Sequence, residues 1–209
     1  MMIAVITATA VIVLGMRRHS LVPSRWQSIA ELSYLFVNNM VRDTVGSEGR
    51  NYFPFIFTLF LFVLAGNMLG MIPYGFTYTS HIIVTFTIAA TIFIGVTVIG
   101  IIKHRWHFFC FFLPPGTPLL MAPLAVPIEI ISYFSRPVSL SVRLFANMLA
   151  GHTLMKVFAG FIVSLGVFGF VPFVFVFALT GLELLIAFLQ AYVFTVLTCL
   201  YLNDALHLH

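Results

Sequence analysis

The chain has 209 residues, of which 61% are hydrophobic and 8% charged, whereas about a quarter of the residues in a typical soluble domain are charged. With 24 phenylalanines and a mean hydropathy of +1.11, its apolar surface exceeds what one globule of this size can bury, so lipid must cover the rest. This composition excludes an ordinary soluble protein. The net charge of +4 comes from scattered bases rather than a dense basic run, which argues against nucleic-acid binding.

The N-terminal part predicts a membrane helix followed by a surface helix. Residues 1–16 are apolar and precede their flanking arginines, which is the reverse of the order in a secretory signal peptide. Residues 21–45 mix charged and apolar side chains, and their apolar positions recur at helical spacing. This segment is predicted to be an amphipathic helix at the membrane surface, with one apolar face formed by Ile29, Leu32, Phe36 and Met40.

The middle and C-terminal parts predict further spanning helices. Residues 52–72 and 82–102 are uncharged and long enough to cross a bilayer, and the flanking Lys and Arg residues place the N-terminus outside. Residues 107–134 hold half of the ten prolines, which predicts a broken or re-entrant segment. Residues 138–171 and 173–202 are predicted to form a long, tilted hairpin with its turn at Pro172. We therefore expect one all-α membrane domain, residues 1–209, with about five membrane helices and a surface helix.

Six ionisable side chains fall in or beside apolar segments, where each charge costs about 2.5 to 3.5 kcal/mol. Such side chains are expected to face a partner or a water-filled path. His152 and Glu183 can gain and lose protons, whereas Arg143 keeps its charge. The set comprises Glu129, Arg136, Arg143, His152, Lys156 and Glu183, of which Arg136 and Lys156 are expected to reach the lipid headgroups.

Helical spacing separates these side chains into faces. Ser139, Arg143 and Asn147 are four residues apart and share one stripe, whereas His152 lies nine residues beyond Arg143 and therefore on the opposite face. On the last helix, Glu183 and Gln190 are seven residues apart and share a face. The sequence therefore offers two titratable groups, His152 and Glu183, and one group that keeps its charge, Arg143.

Two segments carry a family resemblance. Residues 136–152, RPVSLSVRLFANMLAGH, resemble the signature of subunit a of the F-type ATP synthase, and residues 62–73 resemble its second signature. The resemblance covers nearly the whole chain. It implies an all-helical stator whose two long tilted helices lie against a rotating ring of c subunits, with two offset aqueous half-channels that open to opposite sides of the membrane.

The resemblance also implies roles for single residues. Arg143 corresponds to the arginine that meets the ring carboxylate and separates the half-channels, and Gln190 to the glutamine that faces this arginine from the last helix. His152 and Glu183 correspond to the proton-inlet pair, in the mitochondrial and alphaproteobacterial arrangement. The other implied positions are Asn147, one turn beyond the arginine, Glu129 and Ser139 at the outlet, and Asn67 at the inlet.

The same resemblance implies a non-catalytic subunit without a cofactor. Its implied partners are the c-ring, the peripheral stalk and other membrane-sector subunits, with protons as the transported ion and lipid around it. The phenylalanine content would suit an AT-rich organellar genome, so we expect the mitochondrial inner membrane, with the bacterial plasma membrane as the alternative.

Other interpretations compete with this one. A self-contained ion channel or secondary transporter also uses broken helices and midmembrane charges, although no internal repeat is found here. An intramembrane enzyme built on His152 and Glu183 would need a third metal ligand or a nearby nucleophile. Sodium coupling is disfavoured because no cluster of extra carboxylates or hydroxyls surrounds Arg143.

Overall fold

The computed structural model describes residues 2–16, 25–71, 78–104 and 122–206. All regular structure in these residues is helical, which confirms the predicted all-α class. Short 3₁₀ turns at Gly46–Tyr52, Tyr78–Ser80 and Gly166–Gly169 precede three of the α-helices. The α-helices are α1 (Met2–Met16), α2 (Arg25–Val45), α3 (Phe53–Gly70), α4 (Ile82–His104), α5 (Ala122–Leu165) and α6 (Phe170–Leu206).

Four helical stretches in the described part are long and apolar enough to cross a membrane. They are Gln27–Gly70, which includes most of α2 and all of α3, then Ile82–His104, Pro123–Leu165 and Phe170–Leu206. Helix α1 has 15 residues, a length of about 22 Å, and is shorter than the roughly 30 Å hydrocarbon core. The chain is therefore a multi-pass helical membrane protein.

Helix α5 differs from the predicted broken segment over residues 107–134. It begins at Ala122 and continues to Leu165 with Pro127 and Pro137 inside it, so its start lies sixteen residues before the predicted one at Val138. Each internal proline removes one backbone hydrogen bond, whereas a full break in lipid would leave several backbone groups unpaired. The remainder of the predicted segment, through residue 121, lies outside the described residues.

The turn of the hairpin was predicted at Pro172, and this position is wrong. The chain turns at Gly166–Gly169, and Gly166 has a φ of 55°, a conformation that glycine adopts without steric cost. A side chain at Gly169 would lie 2.6 Å from the Ile162 carbonyl oxygen. Pro172 instead occupies the first turn of α6, where a missing N–H breaks no helical bond.

Helix α6 lies at the centre of the described bundle and packs against α2, α3, α4 and α5. Val37, Ile56, Phe60 and Phe194 are almost fully buried in the core among these helices. On α2 the inward face carries Val37 with Val41 and Val45, whereas most of the apolar face predicted from the sequence is exposed. Helix α5 forms an edge of the bundle, so one of its sides contacts α4 and α6 while the other remains open.

Candidate functional site

Polar side chains join α5 to α6 at three levels of the hairpin. The two helices are antiparallel, so a residue further from the turn on α5 contacts a residue further from the turn on α6. By the predicted orientation the turn lies at the outer side of the membrane and Asp204 at the inner side. From the turn inward, the contacts join His152 Nδ1 to Glu183 Oε1 at 3.7 Å, Asn147 Nδ2 to Gln190 Oε1 at 3.0 Å, and Arg136 Nη1 to Asp204 Oδ2 at 2.9 Å.

Glu183 is the buried acid of the outermost level. The residue is only 5% exposed, and neither carboxylate oxygen has a hydrogen-bond partner among the described residues. Its close approach to α5 depends on Gly151, because a Cβ there would lie 2.5 Å from Glu183 Oε1. The structure thus brings together His152 and Glu183, the pair that the sequence predicted to handle protons.

The second level includes a third helix. Asn67 of α3 is fully buried and donates a hydrogen bond from Nδ2 to the backbone carbonyl of Ala187 at 3.3 Å. Asn67 Oδ1 and Gln190 Nε2 are buried without hydrogen-bond partners in the described part of the chain. Asn67, Asn147, Glu183 and Gln190 line a cavity of about 10 Å³, which is about the space that one water molecule needs.

Arg143 lies on α5 one turn before Asn147, at the open edge of the α5–α6 contact. Its side chain is exposed, and it forms no hydrogen bond or ion pair with any described residue. Ser139, one turn earlier, is exposed as well, and so are the small residues Ala146 and Ala150. An arginine in this setting sits on a sterically thin surface that a partner can approach closely.

Gln190 of α6 is hydrogen-bonded to Asn147 rather than to Arg143. The resemblance implied that Gln190 faces Arg143, but the Gln190 side chain bonds to Asn147 and is only 4% exposed. Arg143 points outward because burying its guanidinium beside a neutral amide would cost its hydration without supplying a counter-charge.

Glu129 stands apart from the other candidates. It lies on α5 fourteen residues before Arg143, about 21 Å along the helix axis, and is half-buried. It forms no hydrogen bond or ion pair with the described residues. The structure therefore does not join Glu129 to the site around Glu183, but places it toward the inner end of α5.

The sequence interpretation missed the innermost contact. Arg136 was expected to reach the headgroups, but it pairs with Asp204 and lies near the rings of Tyr133 and Tyr201. The sequence did contain a signal for this ion pair, because Arg136 precedes the first helix of the predicted hairpin and Asp204 follows the second. Among the described residues, no group of three or more His, Cys, Asp or Glu side chains is placed to hold a metal ion, so an intramembrane metalloenzyme gains no support there.

The fold and the site together define a class. A multi-pass bundle with titratable side chains inside a long hairpin and one arginine on its open face is a membrane protein that transports ions. A family model described as ATP synthase A chain matches residues 1–203. The chain belongs to this family.

Relatives of known name agree with this assignment. The chain is 62% identical to the ATP synthase subunit a of Pelagibacter ubique, over 94% of this chain and 81% of that protein. It is 62% identical to the subunit a of Rhodospirillum rubrum over 92% of this chain and 80% of the other. It is 56% identical to that of Paramagnetospirillum magneticum over 100% of this chain and 87% of the relative.

Proposed function

We propose that this chain is the proton-translocating stator subunit of an F-type ATP synthase. The observation that carries the proposal is the separation of two kinds of charged group along α5. Arg143, which keeps its charge, is exposed, whereas His152, nine residues further along, is paired with the buried Glu183 of α6. The family assignment supports a role in proton-driven ATP synthesis, and the relatives are all named as subunit a of that enzyme.

The inlet half-channel would lead protons to the ring from the outer side. Glu183 and His152 receive the proton, because both side chains titrate and lie 3.7 Å apart. Asn67, Asn147 and Gln190 then line the way inward, since amide groups can orient a water molecule in the cavity beside Glu183. The proton finally neutralises a carboxylate of the c-ring, which can then turn into lipid.

Arg143 would separate the inlet from the outlet. A guanidinium cannot be deprotonated in a protein, so it attracts the ionised ring carboxylate and repels a passing proton. On the inner side, Glu129 takes up the released proton, and Ser139 lies beside the outlet path on the same exposed face as Arg143. Each elementary charge that crosses 100 mV supplies about 2.3 kcal/mol, so several protons must pass for each ATP.

The same proposal covers the partners and the location. This chain makes no ATP itself but meets the c-ring at the open face of α5, while its other surfaces serve the peripheral stalk and further membrane-sector subunits. The relatives named above are all bacterial, which favours the bacterial plasma membrane over the mitochondrial inner membrane expected from the sequence.

Reconstitution tests this proposal against the self-contained channel. The purified chain and the intact synthase are placed separately in liposomes under an imposed proton gradient. We expect proton-driven ATP synthesis by the intact complex and no proton flux through the chain alone, because the arginine blocks a continuous path and the ring carries the proton past it. Proton conduction by the chain alone would overturn the proposal.

A further inference from the structure

Arg136 joins α5 to the inner end of α6 through Asp204 and Tyr201, and it also contacts Tyr133 of its own helix. Its Nη1 lies 2.9 Å from Asp204 Oδ2 on α6, and its guanidinium carbon lies 5.7 Å from the ring centroid of Tyr133 and 5.2 Å from that of Tyr201. A planar guanidinium suits this combination of ion pair and ring faces, whereas an ammonium suits only the ion pair. We call these four residues the inner clamp.

The inner clamp also reaches α4. The Tyr133 hydroxyl and Thr97 Oγ1 are 2.8 Å apart, and the ring centroids of Tyr133 and Phe93 are 4.7 Å apart. Tyr133 is buried, so these contacts are protected from competing solvent. Three helices therefore meet around one arginine.

The inner clamp lies at the turn of α5 where Pro137 interrupts the helical hydrogen bonding. Pro137 follows Arg136 directly and has no N–H to bond the carbonyl of Tyr133, which its ring also crowds. Helices bend most readily at such a proline. Because Tyr133 and Arg136 lie in the turn before Pro137, their contacts to α4 and α6 limit the bending that the proline would otherwise permit.

The direction of α5 at this turn determines the position of Arg143, which lies further along the same helix. Arg143 lies seven residues beyond Arg136, two turns or about 10 Å along α5. Its side chain makes no hydrogen bond or ion pair within the described residues, so its position follows from the helix that carries it. On the other side of Arg143, the bond from Asn147 to Gln190 forms the next contact to α6. Arg143 is thus bracketed by two cross-helix contacts.

We propose that Arg136 is a positioning residue for Arg143. Through Asp204 and the two tyrosine rings it fixes the register of α5 against α6 across Pro137, and thereby fixes the height at which Arg143 meets the ring carboxylate. This inference rests on the proposed function. It assigns to Arg136 a role in the coupling of proton flow to ATP synthesis rather than a role in anchoring the helix to headgroups.

The test compares four variants of the intact synthase in liposomes, of which two alter the inner clamp. Arg136→Gln removes the charge, and the exchanged pair Arg136→Asp with Asp204→Arg restores it in reverse. Proton-driven ATP synthesis is divided by ATP hydrolysis in each preparation, and passive proton leak is measured separately. We expect Arg136→Gln to lower this coupling ratio about tenfold and to raise the leak, and the exchanged pair to recover most of the ratio.

Lys103→Gln is the matched control. Lys103 also forms an ion pair between elements, with Glu48 of the turn Gly46–Tyr52, but it does not connect α5 to α6. A general loss of packing would affect both single variants, whereas positioning of Arg143 predicts a normal coupling ratio in Lys103→Gln. Equal loss in the two variants would therefore overturn the inference.

The remaining outcomes are also decisive. A normal coupling ratio in Arg136→Gln, or an exchanged pair no better than Arg136→Gln, would contradict the inference. Failure of the exchanged pair to assemble would contradict it as well, because Arg136 would then serve folding alone. Arg143→Ala is measured in parallel. If that variant loses synthesis while Arg136→Gln does not, the positioning role fails and the proposed function stands; if Arg143→Ala synthesises ATP normally, the proposed function itself fails.

Discussion

Glu183 can approach α5 so closely because the residue beside His152 is a glycine. Gly151 leaves room for the carboxylate, which would otherwise meet a Cβ 2.5 Å from Oε1. A carboxylate side chain has several rotamers, and this space favours the one that brings it to 3.7 Å from His152 Nδ1. The geometry of the titratable pair thus depends on a residue that carries no functional group.

We therefore expect Gly151→Ala to slow proton-driven ATP synthesis about tenfold, because the added methyl group displaces the Glu183 carboxylate from its position beside His152. The measurement is the rate of synthesis by the assembled complex in liposomes. Gly160→Ala is the matched control on the same helix, since nothing lies within 4 Å of a Cβ built there. Equal rates in the two variants would show that Gly151 does not set the position of the acid.

The hairpin of α5 and α6 depends on one backbone conformation at its turn. Gly166 has a φ of 55°, and a left-handed conformation costs other residues about 1 to 2 kcal/mol. We expect Gly166→Ala to lower the thermal midpoint of the purified complex while leaving the catalytic ATPase rate unchanged, because the strain lies in the membrane sector. Gly95→Ala, in α4 with open space around it, should leave the midpoint unchanged. An unaltered midpoint in Gly166→Ala would contradict this account of the turn.

The sequence predicts these elements best where hydropathy alone decides and least where proline is involved. Predicted spans 52–72 and 82–102 agree closely with α3 and α4, because an uncharged run of about 20 residues has few alternatives in lipid. The prolines up to Pro127 suggested a break, yet α5 continues through Pro127 and also through Pro137. Local sequence does not reveal the neighbouring helices that stabilise a proline-containing helix, and so it misplaced the start of α5.

The candidate site was predictable only in part, for a related reason. Helical spacing alone separated Arg143 from His152, and in the structure Arg143 is exposed whereas His152 lies beside Glu183 of α6. Spacing could not give the register between two helices, so it did not foresee that Gln190 bonds to Asn147 or that Arg136 pairs with Asp204. The burial of Asn67 against Ala187 joins positions 120 residues apart, a distance over which no periodicity applies.

Across the whole molecule, polar groups occupy two different environments. In the described part of the chain, Glu183 and the amide side chains of Asn67, Asn147 and Gln190 lie between helices, around a cavity too small for a hydrated ion. Arg143, by contrast, is exposed and forms no hydrogen bond or ion pair with a described residue. Under the proposed function, we expect this chain to move protons only beside a ring that carries them between the two half-channels.

The most direct test of this account is proton-driven ATP synthesis by the intact complex carrying Arg143→Ala. Lys156→Ala is the matched control, because Lys156 is another exposed base on α5, thirteen residues further along the chain. With both variants assembled in normal amounts, the account predicts that synthesis is abolished in Arg143→Ala and retained in Lys156→Ala. Coupled synthesis at the normal rate in Arg143→Ala would contradict it.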